Sequence, residues 1–234
     1  MQDELQISII IPTLNEEKHI GELIKFLQSC FEPATAEIII SDAQSSDNTL
    51  NEARLAGAKA ILCPVKGRAY QMNFGAAISK GRILYFVHAD TKPPPAFFND
   101  ISAAVMNGFH LGRYRTAFNS NSLLLKINSF FTRFDFEFCY GGDQTLFITK
   151  DIFEQLNGFD SQMIIMEDYD IVKRGRKKGR YKILNNKVIV SARKYESNSW
   201  LKIQLANLKI MKMFSKGASQ EEMIRKYNQL ITYR

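Results

Sequence analysis

Four short apolar runs, each feeding a helix-patterned segment, fill the first 87 residues, and this repetition constrains the fold more than any other feature. Residues 6–11, 37–41, 60–63 and 82–87 read as strands rich in β-branched and apolar side chains and bounded by turn residues. Between them, 17–29 places Ile20, Leu23, Ile24 and Leu27 on one helical face, a second helix starts near Asp47-Asn48-Thr49 with Asp47 as candidate N-cap, and 68–77 forms a third. Parallel strands need a crossover connection, which a helix supplies. The alternation therefore predicts an α/β fold with a mostly parallel central sheet flanked by helices.

After position 90 the pattern changes. Thr91-Lys92-Pro93-Pro94-Pro95 stops the fourth strand, and 96–106 reads as a helix with Pro95 at its start. Residues 108–118 alternate like an exposed strand, 123–134 form a strongly apolar helix or loop, 145–148 a strand and 151–156 a helix. Residues 167–178 open with acids and close with bases, the order a helix dipole favours. A strand over 181–190 and helices near 200–214 and 219–230 follow. We expect one unit over 1–234, its regular half at 1–92 and a mixed half at 93–234.

Composition narrows the class. A hydrophobic fraction of 45% and a charged fraction of 24% suit a globular chain and exclude disorder. The start, Met-Gln-Asp-Glu, lacks the basic and apolar pattern of a signal peptide, and no apolar run is long enough to span a bilayer, so a cytoplasmic protein is expected. Cys30, Cys63 and Cys139 are scattered without C-x-x-C spacing; they read as buried thiols, not a disulfide framework or zinc site. The net charge of +7 is uneven: from Lys173 onward there are 17 of the 31 basic residues and 3 of the 24 acidic ones. Such a balance suits an anionic partner.

The chemistry concentrates at strand ends. In Phe86-Val87-His88-Ala89-Asp90-Thr91 an extended chain would point His88 and Asp90 to the same side, at the edge where open α/β sheets bind ligands. Asp90 can hold Mn²⁺ or Mg²⁺ against a diphosphate when phosphate oxygens and water complete the shell, while His88 suits hydrogen bonding, because hard cations prefer oxygen. Asp42 closes the second strand, where it either accepts from a base or ribose or serves as a turn residue. Arg68, after Gly67 at a helix start, either meets phosphate or is a surface arginine. Glu167-Asp168 follows the apolar Met163-Ile164-Ile165-Met166; a desolvated carboxylate there can act as general base, and helix-start acids also serve the dipole. Asp143, behind two glycines, can approach a ligand or cap a turn.

Taken in order, these pieces resemble the family 2 glycosyltransferases, which have the GT-A nucleotide-sugar-binding fold. The carriers are Ile9 through Glu17, Ile39-Ile40-Ser41-Asp42 with Ser45 through Thr49, Gly67-Arg68 with Gln71 and Asn73, His88-Ala89-Asp90, Gly142-Asp143-Gln144 and Glu167-Asp168. Within that family the chain resembles a compact bacterial subfamily found beside radical-SAM and selenium-related domains, whose metal motif also reads H-A-D and whose last strand precedes a Ser-x-Arg stretch, here Ser191-Ala192-Arg193.

The resemblance implies that Pro12, Thr13, Asn15 and Glu16 line a nucleotide pocket, with His88 and Ala89 beside it. It further implies that Asp42 contacts base or ribose, Arg68 approaches the nucleotide, Arg193 lies near the diphosphate and Asp90 binds the metal. Asp168 would deprotonate the acceptor hydroxyl, with Glu167 beside it. Two departures stand out: His88 replaces the first carboxylate of the usual D-x-D, and Arg193-Lys194-Tyr195 replaces the end of the Q-x-x-R-W signature of processive members.

The expected activity is therefore sugar transfer from a nucleoside diphosphate to a hydroxyl acceptor, inverting and metal-dependent. A lipid-linked acceptor is one candidate, with the 200–214 helix making peripheral contact with the membrane's inner face. A nucleotidyltransferase is disfavoured because Thr13-Leu14-Asn15-Glu16-Glu17 is acidic where a basic, Gly-rich loop is needed. A catalytically inactive nucleotide-sugar-binding protein remains an alternative. Nucleic acid is not an expected partner, since the basic region lacks interleaved aromatics and any docking motif.

Overall fold

The structure, a computed structural model, describes residues 6–136 and 144–232. Cys139, Gly142 and Asp143 lie outside the described residues. The alternation of the first half forms as expected: β1 (Ile7–Thr13), α1 (Ile20–Gln28), β2 (Ala36–Asp42), α2 (Thr49–Leu55), β3 (Lys59–Leu62), α3 (Arg68–Ala77) and β4 (Ile83–Phe86). The rest adds β5 (Thr91–Lys92), α4 (Phe97–Met106), β6 (Leu111–Phe118), α5 (Leu123–Phe131), β7 (Leu146–Thr149), α6 (Lys150–Gln155), α7 (Glu167–Gly175), β8 (Tyr181–Val190), α8 (Trp200–Ser215) and α9 (Gln220–Leu230).

The strands make one sheet in the order β3-β2-β1-β4-β7-β6-β8-β5. Strands β1 to β4 are parallel, β6 and β8 are parallel, and β7 and β5 run against their neighbours. Both faces are covered, which is why β1 is apolar without alternation. Ile7, Ile9 and Ile11 pack with α1 and α4, whereas Ile10 packs with α3, α6 and α7. Full burial of each such isoleucine contributes about 1.5–3 kcal/mol.

Three expectations change. Strand β6 is not an exposed strand: it lies between β7 and β8, and Leu111 to Tyr114 are buried. Thr91-Lys92 does not simply end β4 but pairs with Val190 and Ile189 of β8. Helix α1 begins at Ile20 rather than Glu17, and in the segment before it the N–H groups of Asn15, Glu16 and Glu17 bond Ser45, Thr49 and Asp47. Cys63 is buried as expected, and Cys30 is only half-buried.

Gly112 shows how tightly the sheet centre is packed. A Cβ there would come within 2.1 Å of the Lys182 carbonyl oxygen and 2.6 Å of the Phe147 ring. Gly112→Ala is expected to cost at least about 1–3 kcal/mol, since both neighbours must move. Thermal denaturation checks this; an unchanged Tm would mean the β6–β8 ladder yields freely.

Candidate active site

At the carboxyl edge of β1 and β2, two segments that look separate in sequence are one cross-linked unit. The Asn15 N–H donates to Ser45 Oγ (2.8 Å), Asn15 Oδ1 accepts from the Ser46 N–H (2.9 Å), and the Glu16 N–H donates to Thr49 Oγ1 (2.8 Å). Asn15 sits at φ +57, a left-handed conformation asparagine tolerates. Pro12 and Thr13 are buried, and Asp42 is 1% exposed. The Asp42 carboxylate accepts from Thr13 Oγ1 (2.9 Å), the Ser45 N–H (2.8 Å) and Ser45 Oγ (2.5 Å), the turn role weighed above.

Gln71, buried on α3, ties the two strand ends together. Its Nε2 donates to the carbonyls of Thr13 (2.8 Å) and Ser41 (2.7 Å). Gln71→Leu keeps the volume and removes both bonds; the Thr13 carbonyl keeps the Ala43 N–H (2.9 Å), so the expected cost is about 1–3 kcal/mol in all. The expected result is a lower urea midpoint together with weaker nucleotide binding. A variant as stable as the parent would show that water replaces the amide.

His88 and Asp90 do not share a face. The chain leaves extended geometry after Phe86 and turns, with the Thr91 N–H donating to the His88 carbonyl (3.0 Å). The imidazole and carboxylate consequently go to different partners. His88 Nε2 lies 3.8 Å from Asp168 Oδ2, and Asp90 Oδ2 lies 3.4 Å from Arg193. Ala89 is buried within the turn.

Glu167 and Asp168 open α7 behind Met166, which adopts φ +68. A non-glycine residue in that region costs of order 1–3 kcal/mol and persists where its surroundings hold it. Those surroundings are charged: Glu167, 1% exposed, pairs with Arg68 at 2.7 Å, and Asp168, 14% exposed, faces His88. Gly67, at φ +136, caps α3 and turns the chain so that Arg68 begins the helix. Arg68 is thus engaged with Glu167, its side chain still 37% exposed.

Arg193 follows β8 and stands between Asp90 and Glu16, 3.8 Å from the latter. Burial holds Glu16 above the usual carboxylate range, against the opposing pull of Arg193, and the nearby Asp90 charge adds to the rise. Asp90 lines an open cleft of about 530 Å³ with His19, Phe26, Asn119 and Arg193. The Asp90 carboxylate supplies the oxygen donors that Mg²⁺ and Mn²⁺ prefer. Among the described residues no three His, Cys, Asp or Glu side chains converge, so the protein side supplies only part of a shell. The residues fit a cation whose remaining ligands are phosphate oxygens and water.

Asp168 lines a second cavity of about 160 Å³ that sequence reasoning missed. Its wall includes Arg113, Tyr169, Tyr181, Asn207, Met211 and Tyr227. Arg113 is 3% exposed, and its guanidinium donates to the carbonyls of Tyr114, Thr132 and Phe134. Burial pushes the Tyr181 phenol up despite Arg113 and Arg176, so it lines the wall uncharged. These residues come from β6, α7, β8, α8 and α9, and no spacing in the sequence links them.

A family model, that of glycosyl transferase family 2, matches residues 8–135, the stretch that carries the interlocked loops, the His88–Asp90 turn and α5. The chain belongs to glycosyl transferase family 2. Among solved structures this family member resembles S. aureus TarS 1–349 at a TM-score of 0.67 and 15% identity, over 95% of this chain and 69% of that one. It also resembles Mycobacterium tuberculosis glucosyl-3-phosphoglycerate synthase, solved with Mg²⁺ and uridine diphosphate, at 0.59 and 17%, over 87% and 78%. These likenesses establish the GT-A fold.

Curated relatives match in sequence as well. Glucosyl-3-phosphoglycerate synthase of Mycolicibacterium smegmatis is 29% identical over 122 residues, 47% of this chain and 40% of that protein. The 4,4'-diaponeurosporenoate glycosyltransferase of Staphylococcus haemolyticus is 34% identical over 93 residues, 37% and 24%. The chain thus spans less than half the length of these relatives.

Proposed function

We propose that this chain transfers a sugar from a nucleoside diphosphate to a hydroxyl acceptor, with inversion at the anomeric carbon and with Mn²⁺ or Mg²⁺ at Asp90. One observation carries the reading: the 88–91 turn has at its start His88, 3.8 Å from the cavity-wall carboxylate of Asp168, and carries Asp90, paired with Arg193 in an open cleft. That separation gives one group to the acceptor and the others to the leaving diphosphate.

The nucleotide rests against Asn15 and Glu16, backed by the buried Pro12, Thr13 and Asp42 that hold this edge in shape, with His88 and Ala89 at its diphosphate end. Asp168 takes the acceptor proton as the acceptor oxygen bonds to the anomeric carbon. The bond from that carbon to the diphosphate breaks, and its electron pair leaves with the nucleoside diphosphate. Arg193 meets the charge growing there, and Arg68 holds Glu167 so that α7 presents Asp168 in one orientation. A cation held by Asp90 would supply further compensation for that charge.

The donor is a uridine nucleotide in the reading we favour, because the related M. tuberculosis synthase was solved with uridine diphosphate and either Mg²⁺ or Mn²⁺. The H-A-D motif and Ser191-Ala192-Arg193, brought together around Asp90, support membership of the compact subfamily. Residues 1–92 form the donor half and 93–234 the acceptor half of one unit. A thermal-shift screen of UDP-, GDP- and other nucleotide sugars with each cation tests the reading, followed by transfer assays with the stabilising donor. Stabilisation by none of them, with no donor turnover, would overturn it.

A further inference from the structure

Helix α5 is docked through the side that carries Asn128, Ser129 and the buried Leu125, with Thr132 just beyond its end. Ser129 Oγ donates to the Thr116 carbonyl (2.6 Å), Thr132 Oγ1 accepts from the Thr116 N–H (3.0 Å), and Asn128 Oδ1 accepts from Trp200 Nε1 (3.2 Å). The opposite stripe, Leu123, Leu124, Ile127, Phe130, Phe131 and Phe134, follows helical spacing and is 37–72% exposed. The Phe130, Phe131 and Phe134 rings pack on one another with centroids 5.8–6.1 Å apart, and Phe136 extends the group. A surface helix ordinarily buries its apolar stripe. Here the apolar stripe faces outward, and such a contiguous patch marks an interaction surface.

The charges around it select the partner. Helix α5 carries Lys126 and no acid, and Arg133 stacks on the Phe130 ring at 4.0 Å. Helix α8, anchored to α5 at Trp200, carries Lys202, Lys209 and Lys212, no acid, and the exposed Leu201, Leu205 and Leu208. Among the described residues the acid beside the rings, Asp135, is paired with Arg176. An apolar face bordered by bases complements a bilayer with anionic headgroups, where rings enter the acyl boundary and lysines meet phosphates.

We infer that α5 and the first turns of α8 form a leaflet-docking face, with Phe130, Phe131 and Phe134 as its inserted core. This moves the contact from α8 alone, the sequence-based expectation, to a face centred on α5. The docking stands on the surface itself; that it delivers a membrane-borne acceptor to Asp168 rests on the transferase reading.

The test uses the full chain with vesicles of phosphatidylcholine, with and without phosphatidylglycerol. Binding to the anionic vesicles at low salt is expected, with blue-shifted Trp200 emission quenched by acyl-chain bromine. Trp200 is the sole tryptophan, so the signal reports this face. Phe130→Ser with Phe134→Ser should lower the partition coefficient about tenfold or more with unchanged circular dichroism. Absence of cosedimentation overturns the inference, as does binding that ignores the double substitution. So does a dimer, seen by light scattering, that the substitution dissolves, which would make the face a contact between copies. If the variant fails to fold, the quenching of the parent protein decides. None of these readouts involves sugar transfer, so they can fail or hold independently of the proposed activity.

Discussion

Asp168→Asn is expected to cut sugar transfer about 10²- to 10⁴-fold, the range for removing a positioned general base. The substitution keeps the side chain's shape at the second position of α7 and removes its capacity to take a proton. Little stability should be lost: a carboxylate in a helix's first turn contributes about 0.3–1 kcal/mol, and Glu167 and Asp170 remain in that turn. The neighbouring pair of Glu167 with Arg68 is untouched. Turnover number and donor KM, measured together, check the assignment. A large fall in turnover with KM unchanged is expected, while turnover within a few-fold of the parent would remove Asp168 from the chemistry.

Asp90→Ala is expected to lower turnover about 10²- to 10³-fold, as loss of one electrostatic stabiliser commonly does. Chelation of the cation should produce a loss of similar size in the parent and little further loss in the variant. That non-additivity is the discriminating result, because both treatments would remove the same compensation for the departing diphosphate. Stability should change little. The partner lost is Arg193, whose side chain is 53% exposed, and exposed pairs contribute about 0–1 kcal/mol. If the variant kept full turnover, or if chelation still depressed it as deeply, the cation would lie elsewhere.

Helices α3 and α7 illustrate what a linear reading cannot reach. Arg68 could be read as a surface arginine or a phosphate ligand, and Glu167 as a helix-start acid. The structure joins them at 2.7 Å with Glu167 out of solvent, a choice made by desolvation between residues far apart in the chain. Likewise, alternation along an extended strand puts His88 and Asp90 on one side, but the hydrogen bond closing the 88–91 turn separates them.

The parallel half of the sheet, its carboxyl edge and the residue types gathered there follow from local patterning. Side-chain period and turn chemistry act over a few residues, and β1 through β4 obey them. The pairing of Asp168 with His88, the cavity behind Asp168 and the outward apolar face of α5 do not follow from it. Periodicity states which residues of a helix share a side, never which side is covered. For α5 the side with Leu125, Asn128 and Ser129 met β6 and Trp200, held by hydrogen bonds to the Thr116 backbone and the Trp200 indole that join residues far apart in the chain, and the phenylalanines were left outside.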